Sequence, residues 1–320
     1  MRITLQEAGE KLQAARSVVI TAHVNPDGDA IGSSLGLCHY LKNAGKQARV
    51  LLQDPIPENF FVLPGAEKIQ EVKDLAEGEI VEADLLVILD AEPSRADTVP
   101  DRVRAAHTLN IDHHITNDET AEFLYLEPER AATCEIIYVL LSEVLQAAFT
   151  KPMALALYTG MATDTGFFRF SNTKPRTMRA AADLIEKGAE PRFISEAMEA
   201  KPYPRVIGMA RAIGLAEIHF DGKLVALFLG EENMEGLDST EGLIDMIRVV
   251  EGTDTALLMK YVDKDIYRVS IRSKRTDVTK IAEQFDGGGH PRAAGCTLRF
   301  PFAEAKAKIL DAIGKEMGYA

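Results

Sequence analysis

The chain has 320 residues, 46% of them hydrophobic and 7% aromatic, and its 36 Lys and Arg stand against 49 Asp and Glu for a formal net charge of −13. That length predicts about two domains, and such acidity excludes a protein that grips long DNA or RNA through many neutralised phosphates. No apolar run reaches the roughly 20 residues that span a bilayer, and Met1-Arg2-Ile3-Thr4 opens no signal peptide, so no membrane is expected and the cytoplasm is the expected compartment.

The first part alternates short apolar runs with helical periodicity. Residues 17–22 predict a buried strand and 30–43 a helix closed by Gly45. Strands are predicted over 48–52, 84–89 and 108–111, then helices over 132–147, 153–163, 176–187 and 191–200. This order argues an α/β fold with a parallel sheet and helices on both faces. Lys201-Pro202-Tyr203-Pro204 breaks the pattern, which places a first domain at 1–190, a linker at 191–204 and a second domain at 205–320. In the second domain, strands over 215–220 and 224–229 flank Asp221-Gly222, a hairpin signal. A helix over 239–250 precedes a strand pair, 255–262 and 266–272, and the result is a smaller mixed α+β domain. Cys38, Cys134 and Cys296 are an odd, widely spaced set, read as buried thiols in place of a disulfide or zinc framework.

Four islands carry the chemistry: His23-Val-Asn-Pro-Asp27-Gly-Asp29, Asp90, Asp112-His113-His114 and Asp164. His23, Asp90 and the Asp112 island follow predicted strands, and in open α/β sheets ligands bind beyond the carboxyl ends of strands. Asp29 also stands where an N-cap of the following helix would fall. Asp27, Asp29, Asp90 and Asp164 carry four negative charges, which matches two divalent cations. Carboxylate mixed with imidazole suits manganese, iron, cobalt or zinc better than calcium. His39, His107 and His219 lack such company and are expected to be ordinary satisfied histidines. A second signal is Asp286-Gly287-Gly288-Gly289-His290-Pro291-Arg292. Its glycine amides can approach an anion as a nest or helix N-terminus does, and Arg272, His290 and Arg292 add donors.

With those residues in view, the chain resembles the DHH/DHHA1 phosphoesterase family over nearly its whole length. His23-x-x-Pro26-Asp27-x-Asp29, Asp90, Asp112-His113-His114 and Asp164-Thr165-Gly166 are similar to its four motifs in order. Gly287-Gly288-Gly289-His290 with Ala293-Ala294-Gly295 is similar to the DHHA1 glycine motif. One departure is Ala91, where a small hydroxyl residue often follows the second-motif aspartate. The resemblance implies two metals, manganese by family habit. His23, Asp27 and Asp90 would hold one, and Asp29, Asp90, His113 and Asp164 the other. His114 would face the scissile phosphate or the leaving group, and Asp112 would orient neighbouring groups. Arg272, His290 and the glycine amides would bind the substrate's terminal phosphate or a base, with Arg169 and Arg292 as further contacts.

RecJ exonucleases need an extra module and cyclic-di-AMP phosphodiesterases need membrane segments. Family II pyrophosphatases carry a basic signature in the second domain that this chain lacks. What remains resembles the stand-alone nanoRNase and pAp phosphatase group. That group would degrade very short oligoribonucleotides to mononucleotides and convert 3′-phosphoadenosine 5′-phosphate (pAp) to AMP, by attack of a metal-activated hydroxide. Other readings are a linear or cyclic di-adenosine nucleotide phosphodiesterase, an inorganic pyrophosphatase and a nucleotide sensor without turnover. Assembly is not set by the sequence, and a homodimer is compatible with it.

Overall fold

Apolar, β-branched runs become parallel strands wherever a helix or turn long enough to cross over separates them, and this pattern builds the first part of the chain. The computed structural model describes all residues except Asp238, Glu241 and Ala320. It divides into two units, Met1–Ala200 and Lys201–Ala320.

The first unit opens with α1 (Leu5–Ala14), closed at its start by a Thr4–Glu7 capping box. Then come β1 (Ser17–Thr21), α2 (Gly28–Asn43), β2 (Gln47–Leu52), β3 (Gln70–Glu71), β4 (Val81–Leu89), β5 (Val103–Asp112) and β6 (Phe123–Leu126). α3 (Thr133–Val139) runs into a π-helical turn, Leu140–Val144, and is followed by α4 (Lys151–Asp164), α5 (Pro175–Glu186) and α6 (Pro191–Glu199). The six strands lie in the order β3-β2-β1-β4-β5-β6, every neighbouring pair parallel. Buried residues of all six helices join one core with Val18, Ile20, Val87 and Leu109. On the other face Val19, Leu51, Leu86 and Ile88 are covered by Val72, Ala96 and Val99 from short 3-10 turns. α6 returns to this unit, with Ile194 fully buried in its core and Met198 packed against it. Residues 191–199, read from the sequence as linker, thus form a helix on the first unit.

Chain direction along the sheet reverses between β1 and β4, whose carboxyl ends lead to His23 and Asp90. Helices α2 and α4 cross closely because α2 presents glycines at intervals of four. A Cβ on Gly28 would meet Thr163 Oγ1 at 2.2 Å, on Gly32 the Ala156 carbonyl at 2.5 Å, and on Gly36 Leu157 Cδ2 at 2.6 Å. This seam brings the start of α2 to the end of α4.

The second unit comprises α7 (Tyr203–Ile213), β7 (Glu217–His219), β8 (Leu224–Leu229), α8 (Leu243–Ile247), β9 (Thr255–Asp263), β10 (Ile266–Ser273), α9 (Thr279–Ala282), β11 (Gly288–His290), β12 (Ala293–Arg299) and α10 (Phe302–Glu316). Its sheet runs β11-β12-β10-β9-β8-β7 and is mixed, with only β8 and β9 parallel. Both expected strand pairs, β7–β8 and β9–β10, are antiparallel. The helix expected over 239–250 is observed as the shorter α8, and its expected Glu241 lies outside the described residues. α9 and α10 cover one sheet face, while α7 and α8 cover β8 and β9 on the other. No helix among the described residues is long and apolar enough to cross a membrane. The three cysteines are free and buried.

Candidate active site

Asp90 follows β4 with φ +61°, a left-handed backbone that Asp tolerates better than most residues. Its carboxylate is almost wholly buried and shared between two imidazoles. Oδ2 lies 3.5 Å from His23 Nε2, and Oδ1 lies 3.5 Å from His113 Nε2. His23 Nε2 is also 3.7 Å from Asp27 Oδ1. His113 Nε2 is 3.8 Å from Asp29 Oδ2 and 3.9 Å from Asp164 Oδ2. These separations exceed hydrogen-bond lengths, whereas two ligands each about 2.1 Å from one cation sit roughly 3–3.5 Å apart. Three groupings could hold a metal ion: His23, Asp27 and Asp90; Asp29, His113 and Asp164; and Asp90, His113 and His114. The donor set suits divalent cations, and Asp90 belongs to two of the three groupings.

The imidazoles are aimed by their other nitrogen. His23 Nδ1 bonds the Val24 carbonyl at 2.8 Å and His113 Nδ1 the Arg130 carbonyl at 3.2 Å, so Nε2 points at the carboxylates in both rings. His114 Nδ1 bonds Asp112 Oδ1 at 2.8 Å, which leaves its Nε2 for another partner. Asp112 Oδ1 also accepts the amides of His113 and His114, and Oδ2 accepts Asn117 Nδ2. Asp27, not Asp29, caps α2: its Oδ1 accepts the amides of Asp29 and Ala30 at 3.0 and 3.1 Å. The helix begins earlier than its periodicity indicates because Gly28 already adopts helical geometry against Thr163. Asp29 therefore lies in the first turn, facing the start of α3. There Thr133 N donates to its Oδ2 at 2.6 Å and Cys134 N to its Oδ1 at 2.8 Å.

The crowd of acids sets the local electrostatics. Burial, with the neighbouring carboxylates of Asp90 and Asp164, pushes the Asp29 carboxyl well above the usual range. Asp164 is pushed up to about 6, chiefly by burial. Burial also acts to raise Asp90, but the His113 and His23 imidazoles facing its two oxygens outweigh it and hold that carboxyl low. Burial opposes protonation of His23 and His113, yet the carboxylates around them win and raise both to about 10. His114 is raised mainly by its hydrogen bond to Asp112.

Other expected residues are placed differently. Arg169, on the turn after α4, is exposed and spends Nε on the Gly166 carbonyl. In the second unit Arg272, Gly287, Gly288 and His290 line a groove of about 1000 Å³, together with Arg268 and Arg299. Arg292 does not line it; its guanidinium bonds the carbonyls of Arg275 and Thr276. The glycine run is an edge strand paired with β12 and not a helix N-terminus. Glycine is required by close approach: a Cβ on Gly287 would meet the Gly295 carbonyl at 2.3 Å, and on Gly289, at φ +144°, the Ala293 carbonyl at 2.5 Å. His39, His107 and His219 bond Pro64, Glu122 and Glu217 and belong to none of the three groupings. The supports at Thr133, Arg130, Asn110 and Asn117 were missed in the sequence. Only Asn110, polar on an otherwise apolar strand end, carried a signal there.

Residues 17–161 match the DHH family, N-terminal domain, and residues 221–318 the DHHA1 domain. The chain is 35% identical over 303 residues to the bifunctional oligoribonuclease and PAP phosphatase NrnA of Thermus thermophilus, covering 94% of this chain and 90% of that protein. It is 25% identical over 308 residues to the Bacillus subtilis protein of the same name, covering 92% and 93% respectively. The crystal structure of an exopolyphosphatase-related protein from Bacteroides fragilis matches with a TM-score of 0.89 at 26% identity, over 97% of this chain and 95% of that one. Fold, donor set and relatives define a hydrolase of phosphoester bonds. The chain belongs to the DHH family, with the DHHA1 domain following its DHH domain.

Proposed function

We propose that the protein trims very short oligoribonucleotides to mononucleotides and removes the 3′-phosphate of pAp, leaving AMP and phosphate. The observation that carries this reading is the buried Asp90 carboxylate, whose two oxygens face His23 and His113 in adjacent ligand groups. His23, Asp27 and Asp90 would hold one cation, and Asp29, Asp90, His113 and Asp164 the other, with manganese as the expected metal. Bound there, two cations lower the pKa of a water and neutralise phosphate charge. His114, its Nδ1 engaged by Asp112, keeps Nε2 for the phosphate or the leaving oxygen, and Asp112 holds that imidazole in orientation. In hydrolysis a water oxygen bonds to phosphorus, the ester P–O bond breaks, and the departing oxygen takes a proton.

In the second unit Arg272 and His290 supply donors for a terminal phosphate beside the glycine strand, whose Gly287 amide is already given to the Ala282 carbonyl, and Arg268 and Arg299 make their groove basic within an acidic chain. A local basic site in a protein of charge −13 favours short ligands over long polymers. The names of the Thermus and Bacillus relatives support the same substrates. The cytoplasm is the proposed compartment, in keeping with three free buried thiols.

The test is product analysis with manganese on a diribonucleotide, pAp, a long RNA and pyrophosphate. Cleavage of the first two with the long RNA nearly untouched is expected. Turnover of pyrophosphate alone, or of none of the four, would refute the reading.

A further inference from the structure

Asn110 and Asn117 are neither metal ligands nor substrate contacts in the reading above, yet both are buried beside the site. Asn110 Nδ2 donates to the Ile88 carbonyl at 2.9 Å and to the Ala91 carbonyl at 2.7 Å. Those carbonyls straddle Asp90, the residue held at φ +61°. Asn110 Oδ1 accepts from Asn117 Nδ2 at 2.9 Å, and the same Asn117 amide donates to Asp112 Oδ2 at 2.7 Å. Asn117 Oδ1 accepts the Glu119 amide at 2.9 Å. Carbonyls and carboxylates only accept and a backbone N–H only donates, so the partners dictate the orientation of both side-chain amides. An aspartate at either position would set oxygen against oxygen in a buried place, where an unmade hydrogen bond is costly.

We propose that Asn110 and Asn117 form a positioning relay. Asn110 clamps the strained backbone that aims Asp90 at both cation sites, and Asn117 ties that clamp to the Asp112–His114 pair. The metal-sharing carboxylate and the imidazole are thereby held in one fixed relation. Strained backbone of this kind persists where the surroundings over-determine it, and the relay is that surrounding here. The inference rests on the metal reading of the site given above.

The test uses the full chain with Asn117→Ala, Asn117→Asp and Asn110→Asp. Mn²⁺ affinity is measured by calorimetry with the metal alone, kcat and KM on a diribonucleotide, and thermal unfolding in parallel. Asn117→Ala removes the donor without adding charge, so it serves if either aspartate variant fails to fold. Expected for the folded variants is Mn²⁺ affinity weaker by roughly 10-fold and kcat lower by roughly 10–100-fold, the range seen when groups supporting metal ligands are removed, with KM little changed. Combining changes at both positions should cost little more than one, because the residues act as a unit. Full Mn²⁺ affinity and full kcat in variants that only melt earlier would overturn the relay. Absence of Mn²⁺ binding by the unaltered chain would overturn the metal reading and the relay with it.

Discussion

The Thr133 hydroxyl donates to Asp90 Oδ1 at 3.0 Å while the Thr133 amide donates to Asp29 Oδ2 at 2.6 Å, so one residue at the start of α3 holds two carboxylates from different elements. Ala91 cannot supply the hydroxyl that often follows the second-motif aspartate; Thr133, 43 residues beyond Asp90, supplies one. Thr133→Val keeps the shape and loses the donor. It should weaken Mn²⁺ binding by roughly 10–100-fold, and Thr133→Ser should restore most of it. Calorimetric titration of the three proteins decides the matter.

Asp90→Ala should abolish metal binding and all hydrolysis, including that of a small generic phosphodiester, because both ligand groups containing Asp90 lose their shared member. Metal content of the purified protein and turnover of the generic ester are the two measurements. Measurable turnover at full metal content would contradict the shared role.

Arg272→Ala acts in the second unit, where the side chain lines the basic groove. It should raise KM for nucleotides by the equivalent of about 1.5–3 kcal/mol, the worth of a hydrogen bond to a charged group. Turnover of the generic ester should be unchanged. Equal damage to both substrates would show that the two units do not divide the work.

Metal uptake should release protons and tighten with pH. His23 and His113 are raised from 6.5 to about 10 in the metal-free chain, so both imidazoles are protonated at neutral pH and must lose that proton to bind a cation. Asp164, pushed up to about 6, acts in the same direction. Calorimetry in buffers of different ionisation enthalpy counts the protons released. The folded-state values lie above the unfolded ones, so the stability these imidazoles contribute is fully present below about 6.5 and is lost as pH rises through about 10. The metal-free protein should therefore melt progressively earlier over that window, and a flat profile would contradict the raised values.

Gly160→Ala tests how closely α3, α2 and α4 approach. A Cβ there would lie 2.2 Å from Cys134 Sγ and 2.9 Å from Asp29 Oδ1. Relief must displace the start of α3 or the carboxylate, at a cost of about 1–3 kcal/mol for overpacking. Denaturant unfolding should show that loss, and metal affinity should fall with it. Loss of stability with unchanged affinity would mean that only the packing yields.

Much of the first unit was legible because buried parallel strands must be apolar runs and the helices between them carry their own periodicity. Strands β1, β2, β4 and β5 and helices α2, α4 and α5 follow from that pattern. Strand β6 and the edge strand β11 were not legible: β6 is short, and glycine carries no hydrophobic period. The N-cap was misplaced from Asp27 to Asp29 because both are acids before a helix. The close packing of Gly28 against Thr163, together with the bonds of Asp27 to the amides of Asp29 and Ala30, sets where the first turn begins. Arg292 was read as an anion donor from its neighbours in sequence, but in space the carbonyls of residues 275 and 276 are nearer.

By itself the sequence determined the chemistry on offer. Acids and histidines placed after apolar runs must emerge at the ends of strands or helices, and their number and types already suit divalent cations. Tertiary structure alone decided how they are used. Asp90 is shared because β1 and β4 are neighbours at the point where the strand order reverses, and Asp29 meets Asp164 because a glycine seam lets α2 and α4 cross closely. The supports from Thr133, Arg130, Asn110 and Asn117 depend on hydrogen bonds, several of them spanning dozens of residues. Such bonds follow from which surfaces pack together, and no local pattern in the chain encodes them.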